Sequence, residues 1–151
     1  VVRLGWPEDL GAVERPARRT SAVAWRGEAL FEELQADCLR LPLVAERAGT
    51  LVGYLMAWRA GEELHILNVA VLPEERRHGA GTLLLEAALA EAQAGGLVLA
   101  TLEVRQSNHG ARRFYARHGF AAVGRRPAYY QNNGEDAIIM SRPLSRSRLD
   151  D

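Results

Sequence analysis

Val71-Leu72-Pro73-Glu74-Glu75-Arg76-Arg77-His78-Gly79-Ala80-Gly81-Thr82-Leu83 joins an apolar strand to an apolar helix through a basic, glycine-punctuated turn. Ahead of it, Leu64, Ile66, Val69 and Val71 mark the strand, and Pro73 stops it. Behind it, Leu83-Leu84-Leu85-Glu86-Ala87-Ala88-Leu89 reads as the helix. A helix that begins this way leaves backbone N–H groups unpaired at the positive end of its macrodipole, a ready place for phosphate or pyrophosphate. Gly79 and Gly81 let an anion approach the backbone, and Arg76 and Arg77 add charge. The two familiar phosphate loops do not fit. No lysine follows either glycine, as the P-loop requires, and Leu84 stands where the dinucleotide fingerprint needs its third glycine. The pattern present is R-x-x-G-x-G, on Arg76, Gly79 and Gly81.

Outward from this turn, a second apolar strand follows at Leu97-Val98-Leu99-Ala100-Thr101-Leu102-Glu103-Val104. Arg105-Gln106-Ser107-Asn108 then leads into a helix from Ala111 to His118, carrying Phe114-Tyr115 and closed by Gly119-Phe120. Further on stand Arg125-Arg126, Tyr129-Tyr130 and Glu135-Asp136-Ala137-Ile138-Ile139-Met140. The turn resembles the acyl-CoA pyrophosphate loop of the GCN5-related N-acetyltransferases (GNAT). Leu-Glu-Val-Arg-x-Ser-Asn, the Phe-Tyr pair and the later segments resemble the RimI branch of that family, densely over residues 64 to 144 and loosely before them.

The resemblance implies an α/β (α+β) GNAT fold: a mixed, mostly antiparallel sheet of six or seven strands with about four helices, splayed between the fourth and fifth strands. It implies acetyl-CoA as co-substrate and, as acceptor, the N-terminal alanine of a small-subunit ribosomal protein. The pantetheine arm would lie along the exposed edge of Val69, Ala70 and Val71 like an added strand. The pyrophosphate would sit on Arg77, His78, Gly79, Ala80, Gly81 and Thr82 beside Arg76. Asn108, a good helix cap by residue type, would also touch the cofactor. Glu103 is implied as general base and Tyr115 as the acid, or hydrogen-bond donor, at the departing thiolate. Tyr129 and Tyr130, in a loop between two strands, and Trp25 would shape the acceptor side. Around Trp25 the chain reads Ala24-Trp25-Arg26-Gly27-Glu28, where the branch carries Pro-Trp-Ser before Glu, so the acceptor preference stays open. Two alternatives stay open as well: transfer to another amine (a lysine, a free amino acid, an antibiotic), or an acyl-CoA-binding module without turnover.

At 151 residues the chain has the size of one domain, expected over 1–144 with a short polar tail at 145–151. Lys+Arg and Asp+Glu each total 19, so net charge gives no sign of direct nucleic-acid binding. The single cysteine, Cys38, excludes an internal disulfide, suits a reducing cytoplasm, and beside Leu39 and Leu41 is expected as a small core residue. The four histidines show no metal-ligand spacing, so no metal is expected. No run of about 18 apolar residues or signal-peptide core is seen, so neither membrane insertion nor secretion is indicated and a cytoplasmic monomer or weak dimer is expected. Early in the chain a strand is expected at 2–4, a helix from Pro7 that Pro16 interrupts, a short helix through Leu30 and Leu34, and a hairpin turning at Ala48-Gly49-Thr50.

Overall fold

Ala48 (φ 53°) and Gly49 (φ 79°) form a two-residue left-handed turn, whose twist matches that of the strands it joins. These are β2 (Arg40–Arg47) and β3 (Thr50–Ala60), so Thr50 opens the strand rather than completing the turn. A second tight turn at Gly61-Glu62 continues the meander into β4 (Glu63–Val71). The computed structural model describes residues 1–20 and 28–144; Trp25 and the expected tail at 145–151 lie outside them. The other elements are β1 (Val2–Leu4), α1 (Leu10–Thr20), α2 (Glu28–Glu33), α3 (Ala80–Ala94), β5 (Leu99–Arg105), α4 (His109–Arg117), β6 (Ala121–Tyr130) and β7 (Glu135–Pro143). The seven strands lie in the order β1-β2-β3-β4-β5-β7-β6, antiparallel except for the β4–β5 pair.

The two faces of the sheet bury different helices. On one, Leu84, Leu85 and Ala88 of α3 pack with Leu55, Ile66 and Leu102, and Tyr115 and Phe120 extend the same cluster. Each such leucine, taken fully from water, contributes about 1.5–3 kcal/mol. On the other face, Val13 and Ala17 of α1 and Leu34 meet Val44, Tyr54, Met56 and Ala70.

A bulge in β4 decides where the sheet opens. Met56 pairs with Asn68 and Ala57 with Ile66, which leaves Leu67 as the extra residue. That insertion puts Leu64, Ile66, Val69 and Val71 on one face although their spacing changes phase, and it turns the strand away from β5. The parallel ladder ends at Ile66–Leu102, while β4 continues to Val71 and β5 to Arg105. The sheet is splayed between its fourth and fifth strands.

Three local expectations are corrected. Pro16 does not interrupt α1: it lies inside the helix, where it is itself buried. Packing of Val13 and Ala17, 0% and 2% exposed, offsets the roughly 3 kcal/mol a mid-helix proline costs. Cys38 is exposed, not core. The Asp37 carboxylate accepts from the N–H groups of Leu39 and Arg40 at 2.9 and 2.6 Å, folding this stretch into a turn ahead of β2. Tyr129 and Tyr130 are not in a loop, because β6 runs on to Tyr130, which pairs with Glu135.

Candidate active site

The diverging ends of β4 and β5 open a cleft of about 430 Å³. Val69, Ala70 and Val71 form one wall, with no β5 partner beyond Ile66 to take up their backbone groups on that side. Arg76, Gly79, Gly81 and Thr82 form its upper end. Here a 3-10 turn, Pro73–His78, reverses at Gly79 (φ 77°) into α3, a conformation glycine adopts without steric cost. The first N–H groups of α3 have no intrahelical partner and point out of the helix end.

The opposite wall is α4, presenting Asn108, Ala111, Phe114, Tyr115 and Arg117. Asn108 is both cap and lining residue: its Oδ1 accepts the Ala111 N–H at 3.1 Å, which starts the helix. Phe114 brings α4 close to α3, since a Cβ on Gly81 would lie 3.5 Å from its Cζ. Tyr115 is 8% exposed, and burial pushes its phenol above the ordinary range, with Tyr130 adding to the effect.

Glu103 stands one residue past the last rung of the β4–β5 ladder. Ala100, Leu102 and Val104 face the α3 core, so Glu103 projects to the opposite face, the side of α1 and α2. There its Oε2 meets His65 Nε2 at 2.6 Å, and its Oε1 lies 3.4 Å from Arg126 Nε. Glu103 and Tyr115 therefore approach the split from opposite faces of the sheet.

Beside Glu103, Arg105 ties the β6–β7 end to β5. Its guanidinium donates to Asn132 Oδ1 at 3.0 Å and to Asn133 and Glu135 at 3.3 Å, and it lies over the Tyr130 ring. Tyr129 packs edge-on against Tyr130 and stays largely exposed. It is turned outward at Ala128 (φ 51°), whose N–H donates to Asp136 Oδ1 at 2.8 Å. Among the described residues no cluster of His, Cys, Asp and Glu could hold a metal, and no helix is long and apolar enough to cross a membrane.

Of the residues singled out in the sequence, the cleft brings together Val69, Ala70, Val71, Arg76, Gly79, Gly81, Thr82, Asn108 and Tyr115. Ala80 instead packs into the core at 7% exposure, and His78 is exposed outside the cleft lining. Arg77 contributes backbone to the 3-10 turn. Sequence reasoning missed His65 as a partner of Glu103. The parallel register that sets His65 beside Thr101, two residues before Glu103, leaves no local pattern to read. Phe114 and Arg117 were also missed as lining residues: one and two positions from Tyr115 they lie off its helix face, so helical spacing from Tyr115 does not give them.

Residues 10–120 match the model of the Acetyltransferase (GNAT) family. The chain is 33% identical, over 91% of its length and 93% of the relative's, to the ribosomal protein bS18-alanine N-acetyltransferase of Salmonella typhimurium. Its backbone resembles the crystal structure of the ribosomal-protein-S18-alanine N-acetyltransferase of Escherichia coli, with a TM-score of 0.86, 30% identity and 97% and 95% of the two chains covered. It also resembles Ard1 of Thermoplasma volcanium, with a TM-score of 0.88, 27% identity and 97% and 98% covered. With a seven-stranded sheet parted at its one parallel pair and a family match over most of its length, the chain belongs to the acetyltransferase (GNAT) family and is an acetyl-CoA-dependent N-acetyltransferase.

Proposed function

We propose that this enzyme acetylates the N-terminal alanine amine of a small-subunit ribosomal protein, with Glu103 as the base. The acceptor named for the Salmonella and Escherichia relatives supports the choice of substrate. The observation that carries the chemistry is the carboxylate of Glu103 at the apex of the split, 13% exposed and beside the tyrosine-bearing end of β6. The pantetheine arm lies along Val69–Val71, the pyrophosphate rests on the backbone of residues 77–82 with Arg76 beside it, and Asn108 borders the same cleft. The acceptor enters from the opposite face, past Tyr129 and Tyr130. An acceptor that belongs to the ribosome, as named for those relatives, supports a cytoplasmic reaction.

The chemistry suits an α-amine. Its pKa of about 7.7–8.0 leaves roughly a quarter neutral at pH 7.4, whereas a lysine amine near 10.4 costs about 4 kcal/mol to deprotonate at that pH. The neutral nitrogen attacks the thioester carbonyl, its surplus proton passes to Glu103, and the C–S bond breaks to release the CoA thiolate. A thiolate whose thiol has a cysteine-like pKa of about 8.5 is a weaker base than the phenolate of Tyr115, whose phenol burial raises further. Tyr115 therefore acts by donating a hydrogen bond to the sulfur, and the thiolate takes its proton later from water.

Mass spectrometry of small-subunit ribosomal proteins incubated with enzyme and acetyl-CoA tests the acceptor. The expected product carries acetyl on an N-terminal alanine. Every one of the 19 basic residues counted as Lys+Arg is arginine, so acetyl-lysine in such a mixture cannot come from the enzyme itself. Acetyl-lysine without N-terminal product would replace this acceptor with an internal amine.

A further inference from the structure

The two oxygens of Glu103 are held unequally. His65 Nε2 lies 2.6 Å from Oε2, within hydrogen-bond distance, whereas Arg126 Nε stands 3.4 Å from Oε1. Arg126 is 55% exposed, so water screens that attraction, while the His65 and Glu103 side chains are 30% and 13% exposed. His65 is backed in turn. Its cross-strand neighbour on β3 is Trp58, whose indole N–H donates to the buried Glu33 at 2.7 Å.

We propose that His65 is a positioning residue for the acetyl transfer: its Nε2–H fixes Oε2 of Glu103 and leaves Oε1 as the oxygen that takes the amine proton. This rests on Glu103 being the base. With Nε2 donating, Nδ1 is the remaining ring nitrogen, and the described residues offer it no hydrogen bond. A carboxylate free to rotate would spend less time with an oxygen aimed at the amine, and such misplacement of a reacting group is costly. The bond also bridges β4 and β5 where their ladder ends, so a purely structural pin is the competing role.

A double-mutant cycle separates the two. His65→Gln keeps a donor of similar reach and His65→Met keeps bulk without one; each is made alone and together with Glu103→Gln. Thermal melts confirm folding, and kcat is measured with saturating acetyl-CoA and an Ala-initiated peptide. His65→Met is expected to lower kcat about 10- to 100-fold, the loss typical when a partner orienting a reactive group is removed, with His65→Gln retaining most of the rate. KM for acetyl-CoA should not move. In the Glu103→Gln background His65→Met should cost nothing further, because its effect passes through the carboxylate. Multiplying losses in the double variant, or a normal rate for His65→Met beside a slow Glu103→Gln, would overturn the positioning role alone. A near-normal Glu103→Gln would remove the base and the positioning role together.

Discussion

The Arg105 guanidinium lies 4.0 Å from the centre of the Tyr130 ring, two residues along β5 from Glu103. A cation over an aromatic face contributes about 0.5–2 kcal/mol, and three further hydrogen bonds from the same guanidinium hold the 131–135 segment. The tyrosine-bearing end of β6 is thus anchored to the strand that carries Glu103, the proposed base.

Arg105→Leu should loosen that anchor without touching the cleft between β4 and β5. The expected result is a rise of about 10-fold in KM for an Ala-initiated peptide, the equivalent of about 1.4 kcal/mol. Acetyl-CoA affinity by calorimetry should be unchanged. Equal losses for both substrates would mean that Arg105 supports the whole site.

Substitution of the turn glycines tests the phosphate cradle. Gly79 has φ 77°, so valine there strains the backbone by about 1–2 kcal/mol and moves the N–H groups at the start of α3. At Gly81 a side chain meets Phe114 at ordinary contact distance, so bulk there crowds the cleft mouth while the fold persists. Either Gly79→Val or Gly81→Val should weaken acetyl-CoA binding by at least about 2 kcal/mol, the scale of lost charge-assisted hydrogen bonds. Unchanged affinity in both variants would end the assignment.

Two buried phenols contribute to the response to alkali. Burial raises Tyr54 and Tyr115 above the ordinary tyrosine range, with the Asn68 side chain at 2.8 Å from the Tyr54 hydroxyl opposing part of the shift. Above pH of about 10 the unfolded chain loses these protons and the folded chain keeps them, so stability falls as pH rises, by up to about 1.4 kcal/mol per unit for each group. Below that pH both states hold the protons and neither tyrosine contributes a slope. Urea unfolding at pH 8, 10 and 11 should show the decline, with Tyr54→Phe less stable at pH 8 but less sensitive to alkali. An unchanged slope in Tyr54→Phe would contradict the linkage.

What could be read from the residues was whatever is local. The Pro73 stop, the glycines of the turn and the Asn108 cap each act within a few positions, so the cleft's ends were legible. The phase change between Leu64-Ile66 and Val69-Val71 was present in the sequence, but only the β3 register shows it to be a bulge at Leu67. The contact of His65 with Glu103 depends on a parallel pairing 38 residues apart and could not be inferred from spacing. Pro16 and Cys38 went astray for opposite reasons: tertiary burial kept a helix that local rules break, and a local Asp37 turn expelled a residue that hydrophobicity would bury. The reach of β6 to Tyr130 was hidden by Pro127-Ala128, a turn-like pair that the strand absorbs as an irregularity opposite Asp136.

The pH–rate profile of Glu103→Gln, measured from pH 6 to 9.5 with saturating acetyl-CoA and an Ala-initiated peptide, bears most directly on the site. Glutamine keeps the shape of the side chain and removes the proton acceptor. At pH 7 kcat should fall by roughly 10²- to 10⁴-fold, the loss typical of a missing general base. The remaining rate should climb toward pH of about 8 as the α-amine deprotonates unaided, with acetyl-CoA affinity unchanged. A Glu103→Gln enzyme with near-normal kcat at pH 7 would contradict the assignment and make the carboxylate at the sheet's split a structural group.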